Sequence, residues 1–144
     1  MKKFTRSQRA FTLIEVMVVI VILGILSALV VPNILGRAGD ARVQAAKTDI
    51  AAISQALDMY KLDNSTYPTT DQGLQALISK PSGSPEPRNW NPNGYLKKAP
   101  TDPWNREYLY FSPADGVPFE IRSLGADGRE GGEGEDQDIT SRNL

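Results

Sequence analysis

Six carboxylates fall within twelve residues near the C-terminus, in S-L-G-A-D-G-R-E-G-G-E-G-E-D-Q-D-I: Asp127, Glu130, Glu133, Glu135, Asp136 and Asp138, opposed by Arg129. Glycines are interleaved among them, and glycine lets a chain wrap tightly and turn its carbonyls inward. A hard cation such as Ca²⁺ takes about six to eight oxygens from carboxylates and backbone carbonyls in flexible geometry. The segment therefore suits a calcium site, and it equally suits a solvated acidic tail. It is not an EF-hand, because Asp-x-Asp-x-Asp-Gly followed by a distant Glu is absent. The chain has no Cys and no His, which removes thiol and imidazole chemistry, disulfides and the usual zinc and haem ligands. An enzyme would have to use Ser–Lys or paired carboxylates, and no such arrangement stands out. The glycine-rich stretch carries no Lys-Ser/Thr and opens no helix, so it is no P-loop.

A seventh carboxylate stands where acids are rare. Glu15 lies near the start of an otherwise uncharged run from Phe11 to Val31. A charge inside a membrane span costs roughly 3 kcal/mol on insertion scales, so it usually has a partner and a role. The run is long enough, at about 1.5 Å per residue, to match a bilayer core of about 30 Å. As a buried core helix it would need a larger domain to surround it. As a signal peptide it would need a small-x-small site after the run, whereas the candidate around Ser27–Ala28 lies inside it. A retained single-pass anchor is the reading that fits. Its N-terminus would be cytoplasmic, because Lys2, Lys3, Arg6 and Arg9 precede it with no acid among the first ten residues. Cleavage between Ala10 and Phe11 would create an α-amine one helical turn before Glu15, able to pair with that acid in the same chain or a neighbour. In a bundle of apolar helices such pairing would also set axial register.

The remaining elements must carry these groups. Pro32, Gly36 and Gly39 weaken the helix after the apolar run. Val43, Ile50, Ile53, Leu57 and Tyr60 then recur at helical spacing. A helix from Phe11 to about Leu62 is expected, lipid-like in its first half and one face of a soluble domain in its second. Thr70 or Asp71 is expected to cap a short helix through Ile78. Residues 79–107 hold Pro81, Pro85, Pro87, Pro92, Pro100 and Pro103 and read as an ordered irregular loop, pinned to the core by Trp90, Tyr95 and Trp104. Tyr108–Ser112 and Pro118–Ser123 read as strands joined by a Pro-Ala-Asp-Gly turn. The expected fold is α+β, a long helix packed on a small antiparallel sheet. Removing the first ten residues leaves 12 basic against 17 acidic side chains, a net charge of −5. That balance argues against nucleic acid as a partner.

The stretch A-F-T-L-I-E-V-M-V-V-I-V-I-L-G-I-L-S-A-L-V-V-P resembles the class III signal of type IV pilins and type II secretion pseudopilins. The resemblance implies cleavage by a prepilin peptidase between Ala10 and Phe11, N-methylation of Phe11, and Glu15 as the acid that guides filament assembly. The residue before the cut is almost always Gly in that family and is Ala10 here. Three further blocks resemble the G-family major pseudopilin of type II secretion: L-D-M-Y-K-L-D-N-S-T-Y-P-T-T-D-Q-G-L-Q-A-L, N-W-N-P-N-G-Y-L-K-K-A-P-T-D-P-W and S-L-G-A-D-G-R-E-G-G. They imply a leader (1–10), a transmembrane and filament-core helix (11–32) and a periplasmic domain (33–144). They also imply a structural Ca²⁺ held by the Leu124 carbonyl, Asp127, Asp136 and Asp138, with Glu133 and Glu135 as further candidates. The expected protein is a homopolymer anchored in the bacterial inner membrane that works with minor pseudopilins and an inner-membrane assembly platform. A type IV pilin or competence pseudopilin is the rival within the same class, although many such pilins close their C-terminal region with a disulfide. A membrane-tethered substrate-binding module is the rival outside it.

Overall fold

The computed structural model describes residues 11–144, apart from the side chains of 30–35. The expected leader, Ala10 included, lies outside these residues. The chain divides into two units, one ending at Arg37 and one spanning Ala38–Leu144.

Helix α1 runs from Leu13 to Asn64, and its helical assignment continues through Pro32, Gly36 and Gly39. In the first unit every large apolar side chain from Leu13 to Leu29 is exposed. Among the described residues no helix is long and apolar enough to cross a membrane. The described apolar side chains end at Leu29, and those of Val30 and Val31, which continue the run, lie outside the described set.

In the second unit α1 supplies one wall of the core. Val43, Ala46, Ile50, Ile53, Leu57 and Tyr60 recur every three or four residues and, with Ala56, are all buried. Full burial of side chains such as Ile50 and Leu57 is worth about 1.5–3 kcal/mol each. The helix stops at Asn64, whose buried side chain donates to the Tyr60 carbonyl (3.0 Å) and accepts from the Asn89 amide (3.0 Å). Ser65 then takes a left-handed φ of 69°.

The second wall is an antiparallel sheet of three strands in the order β1 (Leu109–Phe111), β2 (Glu120–Ser123), β3 (Ile139–Thr140). Tyr110 pairs with Ile121 and both are buried. The β1–β2 connection closes on an Ala114–Val117 bridge, where the Pro-Ala-Asp-Gly turn was expected. The third strand was not foreseen; it pairs Ile139 with Ser123 and returns the chain after the acidic segment to the sheet.

The short helix is a 3-10 turn, Leu74–Leu77, that starts after Gly73 with no side-chain cap. Thr70 does not cap it, because its hydroxyl is engaged with Ser112, donating to the carbonyl (3.2 Å) and accepting from the amide (2.8 Å). The proline-rich loop is pinned as expected. Trp90 Nε1 donates to the Ala76 carbonyl (2.9 Å), the Tyr95 ring packs on Tyr60, and Trp104 packs partly buried against the core.

Candidate functional site

Two groups of residues carry chemistry, one in each unit. At the start of α1, Thr12 is the N-cap and Glu15 the third helical residue. The Thr12 amide donates to Glu15 Oε2 (2.8 Å) and the Glu15 amide donates to Thr12 Oγ1 (3.4 Å). This is a capping box, which satisfies orphan amides at the helix start, and an acid there also suits the helix dipole. The Thr-x-x-Glu spacing carried that signal in the sequence.

The acidic segment is an ordered loop that closes on itself. The Ala126 amide donates to the Glu135 carbonyl (2.9 Å) and the Asp138 amide to the Gly131 carbonyl (3.2 Å). Gly125, at φ 64°, lies so close to the returning limb that a Cβ would sit 2.7 Å from the Asp136 carbonyl oxygen. Glycine is required there both for its conformation and for its missing side chain.

The candidate ligands are differently placed. Asp138 Oδ1 is buried and has no hydrogen-bond partner among the described residues. Asp127 is exposed, and its Oδ1 accepts from the Arg129 amide (3.0 Å). Glu133 and Asp136 are exposed, and Leu124 is half-buried at the end of β2. Glu135 is committed elsewhere: its Oε1 accepts from Arg42 Nη1 on α1 (2.9 Å) and from Trp104 Nε1 (3.1 Å). Those two donors hold the Glu135 carboxyl below the usual carboxylate range. Glu130 lies 3.6 Å from Arg122. Among the described residues, then, Asp127, Glu133, Asp136 and Asp138 have no ion-pair partner.

The donor set is all oxygen, which fits a hard cation and no softer metal. Asp138 offers the orphaned buried acceptor such a cation would satisfy, since an unpaired buried carboxylate oxygen is costly. Among the described residues, however, no three acids converge closely enough to hold a metal. A full ligand set would need Asp127 and Asp136 to turn inward, with backbone carbonyls completing it.

Three residues absent from the sequence-based set carry polar contacts here: Asp102 and Arg106 hold the entering limb of the loop, and Glu120 ties β2 to the C-terminal turn. Asp102 is buried, and its Oδ1 accepts from the amides of Trp104 (3.1 Å) and Arg106 (2.8 Å), while Oδ2 accepts from Ser123 Oγ (2.7 Å). Arg106 donates to the carbonyls of Gly125 (2.5 Å) and Ala126 (2.6 Å). The Asp-Pro turn signal of T-D-P-W was legible in sequence; its attachment to Ser123 was not. Glu120, on the outer face of the sheet, is buried beneath Arg122 (2.8 Å) and Arg142 (2.7 Å).

A long N-terminal helix with an exposed apolar start, followed by a helix-backed three-stranded antiparallel sheet, defines a pilin-like subunit. The family model for type II secretion system protein G matches residues 33–142, and that for the prokaryotic N-terminal methylation motif matches residues 5–31. The chain belongs to the type II secretion system protein G family. It is 60% identical to the type II secretion system core protein G of Pseudomonas aeruginosa, over 93% of this chain and 94% of that one. It is 58% identical to the Vibrio cholerae core protein G, over 100% and 97%. The crystal structure of the major pseudopilin from the type 2 secretion system of enterohaemorrhagic Escherichia coli aligns with a TM-score of 0.68 at 43% identity. It covers 80% of this chain and 98% of that chain.

Proposed function

We propose that this chain is the major structural subunit of the periplasmic pseudopilus of a type II secretion system. The precursor is held in the inner membrane by its apolar helix. A prepilin peptidase removes residues 1–10 and Phe11 is N-methylated. The subunit then polymerises, with minor pseudopilins and an assembly platform, into a filament that drives folded proteins across the outer membrane. The observation that carries this reading is the exposed apolar face from Phe11 to Leu29. Such a surface does not stay in water; lipid covers it before assembly and neighbouring helices cover it afterwards. Within that bundle Glu15 Oε2 remains with the Thr12 amide, and Oε1 is the oxygen that takes a new α-amine at Phe11.

Calcium is the proposed structural cofactor of the acidic loop, held by Asp138, Asp127, Asp136 and the Leu124 carbonyl, with Glu133 at the periphery. Four carboxylates without ion-pair partners among the described residues, and one orphaned buried oxygen there, support that reading.

The assembly claim is tested with Glu15→Gln, which keeps a capping-box side chain but loses the charge. The full chain is expressed with a secretion machinery that lacks its own major pseudopilin, and sheared filaments are quantified. Wild type is expected to form filaments and Glu15→Gln to accumulate unassembled in the membrane. Filaments from Glu15→Gln at the wild-type level would reduce Glu15 to a helix cap. Absence of wild-type filaments would remove the filament reading.

A further inference from the structure

We infer that Arg106 is a built-in cation for the entering limb of the acidic loop, a positioning residue that keeps that limb folded when no metal is bound. Its base is fixed first. The Arg106 amide donates to Asp102 Oδ1 (2.8 Å), and the Asp102 amide donates back to the Arg106 carbonyl (2.8 Å). Asp102 is itself tied to Ser123, the last residue of β2. The arginine side chain therefore leaves from a closed turn attached to the strand that feeds the loop.

Its guanidinium then meets two consecutive carbonyls, Nη1 on Gly125 (2.5 Å) and Nη2 on Ala126 (2.6 Å). Adjacent carbonyls turned to one side normally await a cation or a pair of donors, and the planar guanidinium supplies both. Gly128 makes room for it: a Cβ there would lie 2.8 Å from Arg106 Cζ, and its φ of 67° excludes most side chains. Among the described residues Arg106 forms no ion pair, so its charge is not consumed by a single carboxylate. Its guanidinium rests on Gly125 and Ala126, the two residues immediately before Asp127, at the entrance of a loop whose charges, Arg129 apart, are acidic. Arg106 thus offsets repulsion that would otherwise open the loop. Its effect on the metal-free loop stands alone; its interplay with calcium rests on the calcium reading above.

The test uses the full chain in detergent micelles and a protease that cuts after glutamate, reporting on Glu130 and Glu133. Wild type, Arg106→Met and Arg106→Lys are digested in EGTA and in millimolar calcium. Amide exchange at Ile50 and Leu57 monitors the core. Two charge-assisted bonds are lost in Arg106→Met, so loop cleavage in EGTA is expected to rise about tenfold or more. Arg106→Lys, with charge but no fork, is expected to fall between the two. Calcium is expected to restore most of the protection to Arg106→Met. Wild-type cleavage of Arg106→Met in EGTA would overturn the inference. If Arg106→Met is cleaved faster and calcium changes neither protein, the positioning role stands and the calcium reading fails. If Arg106→Met loses its core protection as well, Arg106→Lys decides: cleavage at the wild-type rate overturns the inference, and faster cleavage with an intact core supports it.

Discussion

Replacing Asp102 by alanine should destabilise the Ala38–Leu144 unit more than its surface-loop address suggests. The carboxylate is only 4% exposed and receives three hydrogen bonds, from the amides of Trp104 and Arg106 and from the Ser123 hydroxyl. Alanine leaves all three donors facing a small void. An unsatisfied buried donor costs about 1–3 kcal/mol. The hydroxyl can rotate toward another acceptor and the amides are less free, so the expected total is about 3–5 kcal/mol. At roughly 4–6 °C per kcal/mol for a unit of this size, the midpoint should fall by about 15–25 °C. The assay is thermal unfolding of the full chain in detergent followed by tryptophan fluorescence, since Trp90 and Trp104 both pack against the core. Asp102→Asn keeps the shape and one acceptor and should cost about 1–2 kcal/mol. Adding Ser123→Ala to Asp102→Ala removes one stranded donor, so the double variant should cost less than the sum of the singles. A loss below about 1 kcal/mol for Asp102→Ala would refute the claim that this carboxylate is the clasp between the proline-rich loop and β2.

Two further outcomes follow from charge. Burial pushes the Glu120 carboxyl up, but the hydrogen bonds and charges of Arg122 and Arg142 outweigh it, and the group lies below the usual carboxylate range. Its contribution is therefore complete above the unfolded value of about pH 4.3 and is lost as pH falls through the folded value. Acid titration of unfolding should show that loss in wild type and a flatter curve below pH 4.3 in Glu120→Gln; equal slopes would contradict it. Calcium at a hundredfold excess over its Kd should stabilise the fold by about 2.7 kcal/mol, and EGTA should remove that gain. An unchanged midpoint in chelator would end the structural-calcium proposal.

Periodicity made the long helix legible. Val43, Ile50, Ile53, Leu57 and Tyr60 mark one buried face, and all five are in the core. The β1–β2 hairpin was equally visible, because turn residues sit between two apolar runs. Strand β3 was not, since Ile139–Thr140 is too short to show alternation and emerges from an acidic context. Thr70 or Asp71 was expected as a cap because capping is a local signal; neither caps the turn, and the commitment of Thr70 to Ser112, 42 positions away, is tertiary. The same limit applies to Glu135, whose sequence surroundings suggest a ligand and whose contacts with Arg42 and Trp104 make it a strut to α1. Thr12 and Glu15 show the reverse case. Their capping-box spacing was plain in the sequence, but the rarity of an acid in an apolar run drew the reading toward pairing with a new α-amine at Phe11, in the same chain or a neighbour. Both roles are compatible, because the cap uses Oε2.

The most direct test of the pseudopilin account is the intact mass and N-terminal sequence of the chain after co-expression with a prepilin peptidase. The account predicts a protein that begins at N-methylated Phe11, with Ala10 accepted before the cut. A chain that still begins at Met1, under conditions where a relative with glycine at that position is processed, would contradict it.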